Sequence, residues 1–236
     1  LDCNIYLISP TKMYYSIEAE AKGSNDDSNL GLSGYFQFGN NNLLKGAESL
    51  NGKIKVSLGN RQTSLNNADN LFNTQEISGE IGIKTPKLIL PKELHKWTQN
   101  ILQMHTSFLF TVTQRKKPDF SSKIITNRLG YYWKNSQNIQ HTLNVIELSF
   151  ADIEESDFIS DLVIDNIYLR EQFEDKFIPS TNYIFTFNNQ KIYNLVNYTY
   201  LKTKIETSGN LFQALGQLGR FKKNDNTDYI LFGNPF

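Results

Sequence analysis

The sequence predicts an all-β protein, an antiparallel sheet built from consecutive hairpins. Three observations predict it: runs that alternate apolar and polar residues, joins rich in Gly, Asn, Asp and Ser, and about nine such runs near hairpin spacing. The pattern is clearest from Tyr14 to Arg61. Tyr15, Ile17, Ala19 and Ala21 interleave with Ser16, Glu18, Glu20 and Lys22. Leu30, Leu32, Phe36 and Phe38 interleave with Gly31, Ser33, Tyr35 and Gln37. Ile54, Val56 and Leu58 interleave with Lys53, Lys55 and Ser57. Side chains alternate across a strand, so each run has one apolar and one polar face. Such strands suit a sheet between two unlike solvents. An antiparallel transmembrane β-barrel, with lipid outside and water inside, is the sharpest case.

Each element follows from this period of two. Leu1 to Pro10 alternates and stops at Ser9-Pro10. Met13 to Lys22 is the next strand, and the polar turn Gly23 to Asn29 ends it. A strand runs on to Phe38. Asn40, Asn41 and Asn42 open a turn through Gly46, and Gly52 to Gly59 is extended again. Asn60 to Asn70 is a polar loop. Thr74 to Lys84 places Ile77, Ile81 and Ile83 against Glu76, Ser78, Glu80 and Lys84. Pro86 to Gln103 reads as a short helix or a long irregular turn. His105 to Arg115, Ser121 to Trp133 and Gln140 to Phe150 are three further strands, with Phe110 on an apolar face. In Ser156 to Lys176 the spacing changes to three and four, which predicts a helix-bearing loop. The period of two returns at Tyr183, Phe185 and Phe187, and again from Thr199 to Ser208. After Gly209 the chain reads as a long loop with an amphipathic stretch, Leu211 to Leu218. Short turns on one side and longer loops on the other are expected of an outer-membrane barrel.

The bulk numbers narrow the function. Among 236 residues, 24 basic and 24 acidic side chains cancel, so no global field favours nucleic acid. Mean hydropathy is −0.44, and no run of about 18 apolar residues is present, which excludes a transmembrane helix. Barrel strands, being only half apolar, escape that test. The one cysteine, Cys3, rules out an internal disulfide and a multi-cysteine zinc site. His95, His105 and His141 lack the spacing of a zinc helix, and no phosphate loop, dinucleotide fingerprint or nucleophile elbow occurs. The acidic pairs Glu18/Glu20, Glu76/Glu80 and Glu154/Glu155 have the residue type of glycosidase carboxylates. A polar lumen of mixed charge, with Lys53, Lys55, Lys202 and Lys204 as partners, accounts for Glu18 and Glu20 without catalysis. No enzyme activity, metal or cofactor is expected. The opening LDCNIYL lacks the features of a signal peptide, and the chain reads as part of a longer protein.

The order of these segments carries a resemblance. YSIEAEAKGSN followed by NLGLSGYFQFGNNNLLKGAESLNGKIKVS resembles the start of the barrel in the BamA/TamA superfamily of outer-membrane assembly factors, the bacterial surface antigen family, in a Bacteroidota-like form. Asn42, Leu43, Leu44, Lys45, Gly46, Ala47 and Glu48 are similar to the N-L-F-R-G-A-E turn after the family's second barrel strand. The likeness is strong over the first 60 residues, moderate from Phe177 on and vague between. It implies that residues 1–10 are the last strand of a POTRA domain. Residues 11–236 would then be about the first nine strands of a sixteen-stranded barrel. The family's R-G-F/W loop motif does not occur here.

The resemblance also implies a function in the bacterial outer membrane: assembly, insertion or translocation of proteins. The implied partners are the lipid bilayer, client β-barrel proteins and accessory assembly subunits or lipoproteins, with no nucleic acid. The first barrel strand would template client strands through Met13, Tyr14, Tyr15, Ser16, Ile17, Glu18, Ala19 and Glu20. Leu30, Leu32, Phe36, Phe38, Ile54, Val56, Leu58, Ile81, Phe110 and Phe185 would face lipid. The alternatives are another outer-membrane pore, or a soluble β-sheet protein that binds a ligand and gathers Phe36, Ile54, Phe110 and Phe185 into one core.

Overall fold

The computed structural model describes residues 11–24, 29–60, 72–90, 98, 101–156, 173, 175–190, 197–209, 222–223, 229–231 and 234–235. Nine strands form one sheet in chain order: β1 (Met13–Ser24), β2 (Asn29–Asn40), β3 (Ser49–Gly59), β4 (Thr74–Thr85), β5 (Gln103–Lys116), β6 (Phe120–Lys134), β7 (Ile139–Glu155), β8 (Lys176–Asn188) and β9 (Tyr200–Ser208). Every neighbouring pair is antiparallel. The sheet is open: β1 and β9 are its two edges, and they run in the same direction.

The cross-strand registers collect the apolar positions on one face. One row reads Ile17, Phe36, Ile54, Gly79, Val112, Ile125, Phe150 and Phe177 across eight strands. The adjacent polar row reads Glu18, Tyr35, Lys55, Ser78 and Thr113. A slip of one residue in any pairing would turn that strand's apolar set to the other face, so the pattern itself holds the register. Two irregularities interrupt it, at Leu129/Gly130 and between Asn144 and Glu147. The second is a β-bulge whose extra backbone is held by Thr181, which donates its hydroxyl to the Val145 carbonyl at 2.8 Å.

Among the described residues only Leu88, Trp133 and Phe177 are buried apolar side chains. Phe36 is 40% and Ile54 49% exposed. The apolar face therefore does not close over a dry centre. A strap covers its lower end. Thr106 donates its hydroxyl to the Lys87 carbonyl at 2.7 Å and accepts the Ile89 N–H at 2.9 Å, and the Tyr131 hydroxyl donates to the Ile89 carbonyl at 2.7 Å. Thr106 and Tyr131 stand opposite each other on the apolar side, so the strap seats Leu88 there.

Three expectations change. The joins do not divide into a short side and a long side. Joins 25–28, 60–73, 117–119 and 156–175 lie at one end of the strands, and 41–48, 86–102, 135–138 and 189–199 at the other. Each end mixes tight turns with long connections. Strand β8 begins at Lys176, well before Tyr183, and carries Pro179 inside it. Proline is tolerated because its missing N–H would face β9, whose ladder finishes there: Gly209 N–H donates to the Pro179 carbonyl at 2.8 Å. After Gly209 the chain holds three short paired strands, β10 (Lys222–Lys223), β11 (Tyr229–Leu231) and β12 (Asn234–Pro235), where a loop was expected. The expected strand 1–10, the amphipathic stretch 211–218 and, within the segments expected as helix or turn (Pro86 to Gln103) and as helix-bearing loop (Ser156 to Lys176), residues 91–97, 99–100, 157–172 and 174 lie outside the described residues. No described helix is long and apolar enough to cross a membrane.

Candidate functional site, an open strand edge

Among the described residues strand β1 has a neighbour on one side only. Antiparallel ladders alternate, so every second residue bonds a given neighbour and the others aim away from it. The phase is set where Asn41 N–H donates to the Lys12 carbonyl at 2.8 Å. With Met13 opposite Asn40, the hydrogen-bonded pairs continue at Tyr14, Ser16, Glu18, Glu20 and Lys22. Met13, Tyr15, Ile17, Ala19, Ala21 and Gly23 therefore turn their N–H and C=O groups outward. The residues of the outward amides carry the apolar side chains, and the residues bonded to β2 carry the polar ones.

β1 is anchored by side chains that reach across the sheet. Tyr14 lies over Gly39, its cross-strand partner, so closely that any side chain at residue 39 would meet the ring. Its hydroxyl continues to β3 and donates to Asn51 Oδ1 at 2.7 Å. Tyr35 donates to Glu20 at 3.0 Å, and Asn41 Nδ2 donates to the Thr11 carbonyl at 2.9 Å.

Below this edge, residues 42–48 fold onto themselves. Leu43 N–H donates to the Glu48 carbonyl at 3.0 Å, and Ala47 N–H to Asn42 Oδ1 at 3.1 Å. Gly46 N–H donates to the Glu48 carboxylate at 2.9 Å. Hydrogen bonding from its own N–H and from that of Gly46 holds the Glu48 carboxyl below the ordinary carboxylate range. Lys45 and Ala47 take left-handed backbone with φ of 66° and 63°. The side-chain and backbone caps of Asn42 and Glu48 hold these two residues there.

The polar face answers acid with base. Glu76 takes Lys55 at 2.7 Å and Arg115 at 2.8 Å. Arg128 and Glu147 form a two-bond fork at 2.8 and 2.9 Å. Ser33 and Ser57, Thr126 and Ser149, and Asn144 and Asn182 are joined by cross-strand hydrogen bonds. On the opposite face His141 stacks on Trp133 and shares a 2.7 Å hydrogen bond with the Tyr183 hydroxyl. Among the described residues no group of His, Cys, Asp and Glu has the arrangement of a metal site.

Met13 to Glu20 lie contiguously on the outer strand, which continues to Ser24. Leu30, Leu32, Phe36, Phe38, Ile54, Val56, Leu58, Ile81, Phe110 and Phe185 share one face of the sheet. Lys53 and Lys55 share the polar face with Glu18 and Glu20, whereas Lys202 and Lys204 sit on β9 at the far edge and do not meet them. Glu154 and Glu155 are neighbours on a strand and so point to opposite faces. The sequence reading missed Tyr14, Gly39 and Asn51 as one unit and missed Arg128 with Glu147. A glycine on a polar stripe, paired with an aromatic residue one strand away, is the signal for the first. No protein-family model matches the chain, and no curated protein matches it.

Proposed function

We propose that this chain is the early part of a transmembrane β-barrel in an outer-membrane assembly factor of the BamA/TamA type. In this reading β1 is the first barrel strand and templates client strands during insertion or translocation. The observation that carries the reading is one apolar face that runs across the sheet with most of its large side chains unburied, beside an edge whose outward amides have no partner among the described residues. The dimensions support it. On β7 the apolar side runs from Ile139 to Phe150, about 37 Å at roughly 3.4 Å per residue. Tilted by about 45° it spans about 26 Å, close to the ~25 Å apolar band of outer-membrane barrels. The soluble alternative needs Phe36 and Ile54 inside a core, and both are exposed.

The work proposed is non-enzymatic. Backbone N–H and C=O groups cost several kcal/mol each when left unpaired in hydrocarbon. An incoming strand that pairs with β1 satisfies its own groups as it enters, which lowers the barrier to insertion. Accessory subunits or lipoproteins would act around this seam. Cysteine crosslinking tests the reading: single cysteines from Met13 to Lys22 should trap the terminal strand of a client barrel in alternating order during assembly. Absence of any trapped client overturns the templating role. Purification as a monodisperse protein in detergent-free buffer overturns the membrane reading.

A further inference from the structure

We infer that the β1 edge selects its incoming strand by charge, and favours a strand whose polar face carries an acidic residue across from Lys22 followed by two basic ones across from Glu20 and Glu18. This rests on the templating reading above and names the chemistry of the partner. An antiparallel strand added to β1 bonds Met13, Tyr15, Ile17, Ala19, Ala21 and Gly23, because those residues aim their amides outward. Ser16, Glu18, Glu20 and Lys22 then fall in the non-hydrogen-bonded pairs, where facing Cα atoms are only about 4.5 Å apart and side chains approach most closely. The polar side chains of β1 are thus the ones that read the newcomer.

The sheet's own rule says what they require. Lys55 and Arg115 flank Glu76, Lys53 stands opposite Glu80, and Arg128 forks onto Glu147. Glu18 and Glu20 have no such answer from β2, where the residues opposite and beside them are Ser33, Tyr35 and Gln37. Gln37 reaches Glu18 at 3.5 Å, Tyr35 reaches Glu20 at 3.0 Å, and among the described residues the one cation at contact distance is Lys22 on the same strand, 3.4 Å from Glu20. At contact distance the acid pair is answered by base only along its own strand, with Lys55 of β3 acting on Glu20 from farther off, and the open side is where a cross-strand base fits. Read in its own chain direction, the antiparallel partner carries acid, base, base at alternate positions.

Two synthetic twelve-residue strands test this, identical in apolar face and differing only in the order of charge: one with acid, base, base and one with base, acid, acid opposite Lys22, Glu20 and Glu18. The full chain carries Ser16→Cys as its only thiol, with Cys3→Ser, and each peptide carries one cysteine opposite residue 16. In detergent micelles at low salt the basic-pair peptide should form the disulfide with a yield ratio of about tenfold over the acidic-pair peptide. The ratio should shrink as salt is raised. Glu18→Lys with Glu20→Lys should reverse the preference, a gain for the acidic-pair peptide that unfolding cannot produce. Equal yields for both peptides would overturn the charge selection and leave strand templating standing. Failure of both peptides to crosslink would overturn templating itself. A disulfide between two copies of the chain, formed in preference to either peptide, would assign the edge to self-association and overturn the inference.

Discussion

A lysine at Ile54 measures what lies against the apolar face. Ile54 is midway along β3, four residues from Leu50 and four from Leu58 on the same side. At about 3.4 Å per residue these neighbours lie roughly 14 Å away along the strand, or about 10 Å in depth at a 45° tilt. Against hydrocarbon, lysine costs about 2–4 kcal/mol at the midplane and about 0–1 kcal/mol near either interface. Against water, an exposed substitution stays within about 0.5 kcal/mol wherever it sits on the strand. Ile54→Lys should therefore be destabilised by about 3 kcal/mol relative to Leu50→Lys and Leu58→Lys, a factor of about 150 in the folding equilibrium. Guanidinium unfolding from phospholipid vesicles reads the three variants side by side. Equal stabilities within about 0.5 kcal/mol would refute the reasoning, and so would an Ile54→Lys protein that is monodisperse in plain buffer.

Three other perturbations follow from the same geometry. Gly39→Ala drives a methyl group into the Tyr14 ring and should cost about 1–3 kcal/mol, read as faster hydrogen exchange at Tyr14, Ser16 and Glu18; Tyr14→Ala in the same chain should recover part of it. Glu76→Ala leaves Lys55 and Arg115 without their shared acid and should cost about 2 kcal/mol, whereas Lys55→Ala should cost about half as much because Arg115 remains; denaturant midpoints decide. The turn at 42–48 should loosen in acid. The folded Glu48 carboxyl is depressed, so its contribution is present above the unfolded carboxylate value and is lost as pH falls through the folded one. Exchange of the Gly46 amide should accelerate over that window, and Glu48→Gln should abolish the pH dependence.

The sheet was legible because its strands obey a period of two, and one face had to be apolar on every strand. Ile17, Phe36 and Ile54 stand in register for that reason alone. Strand ends were harder. β7 runs on to Glu155 because Asp152, Glu154 and Glu155 continue the ladder where the apolar pattern has stopped. The start of β8 was hidden by Pro179, whose acceptability depends on where a different strand ends. The edge was legible as a strand, but the phase of its outward amides was not. That phase depends on a long-range bond from Asn41 to Lys12 and on pairing with β2. The anchor of Tyr14 on Gly39 and Asn51 spans three strands, and no local spacing reveals it. The sides on which joins gather depend on counting every hairpin, and there the expected asymmetry failed.

Because β1 and β9 point the same way, bending the sheet round until they touched would produce a parallel seam in an otherwise alternating ladder. A cylinder that alternates throughout needs an even total, so whatever bridges the gap between these rims must bring an odd number of strands with it. Parity thus constrains any ring built on this sheet before one further side chain is considered.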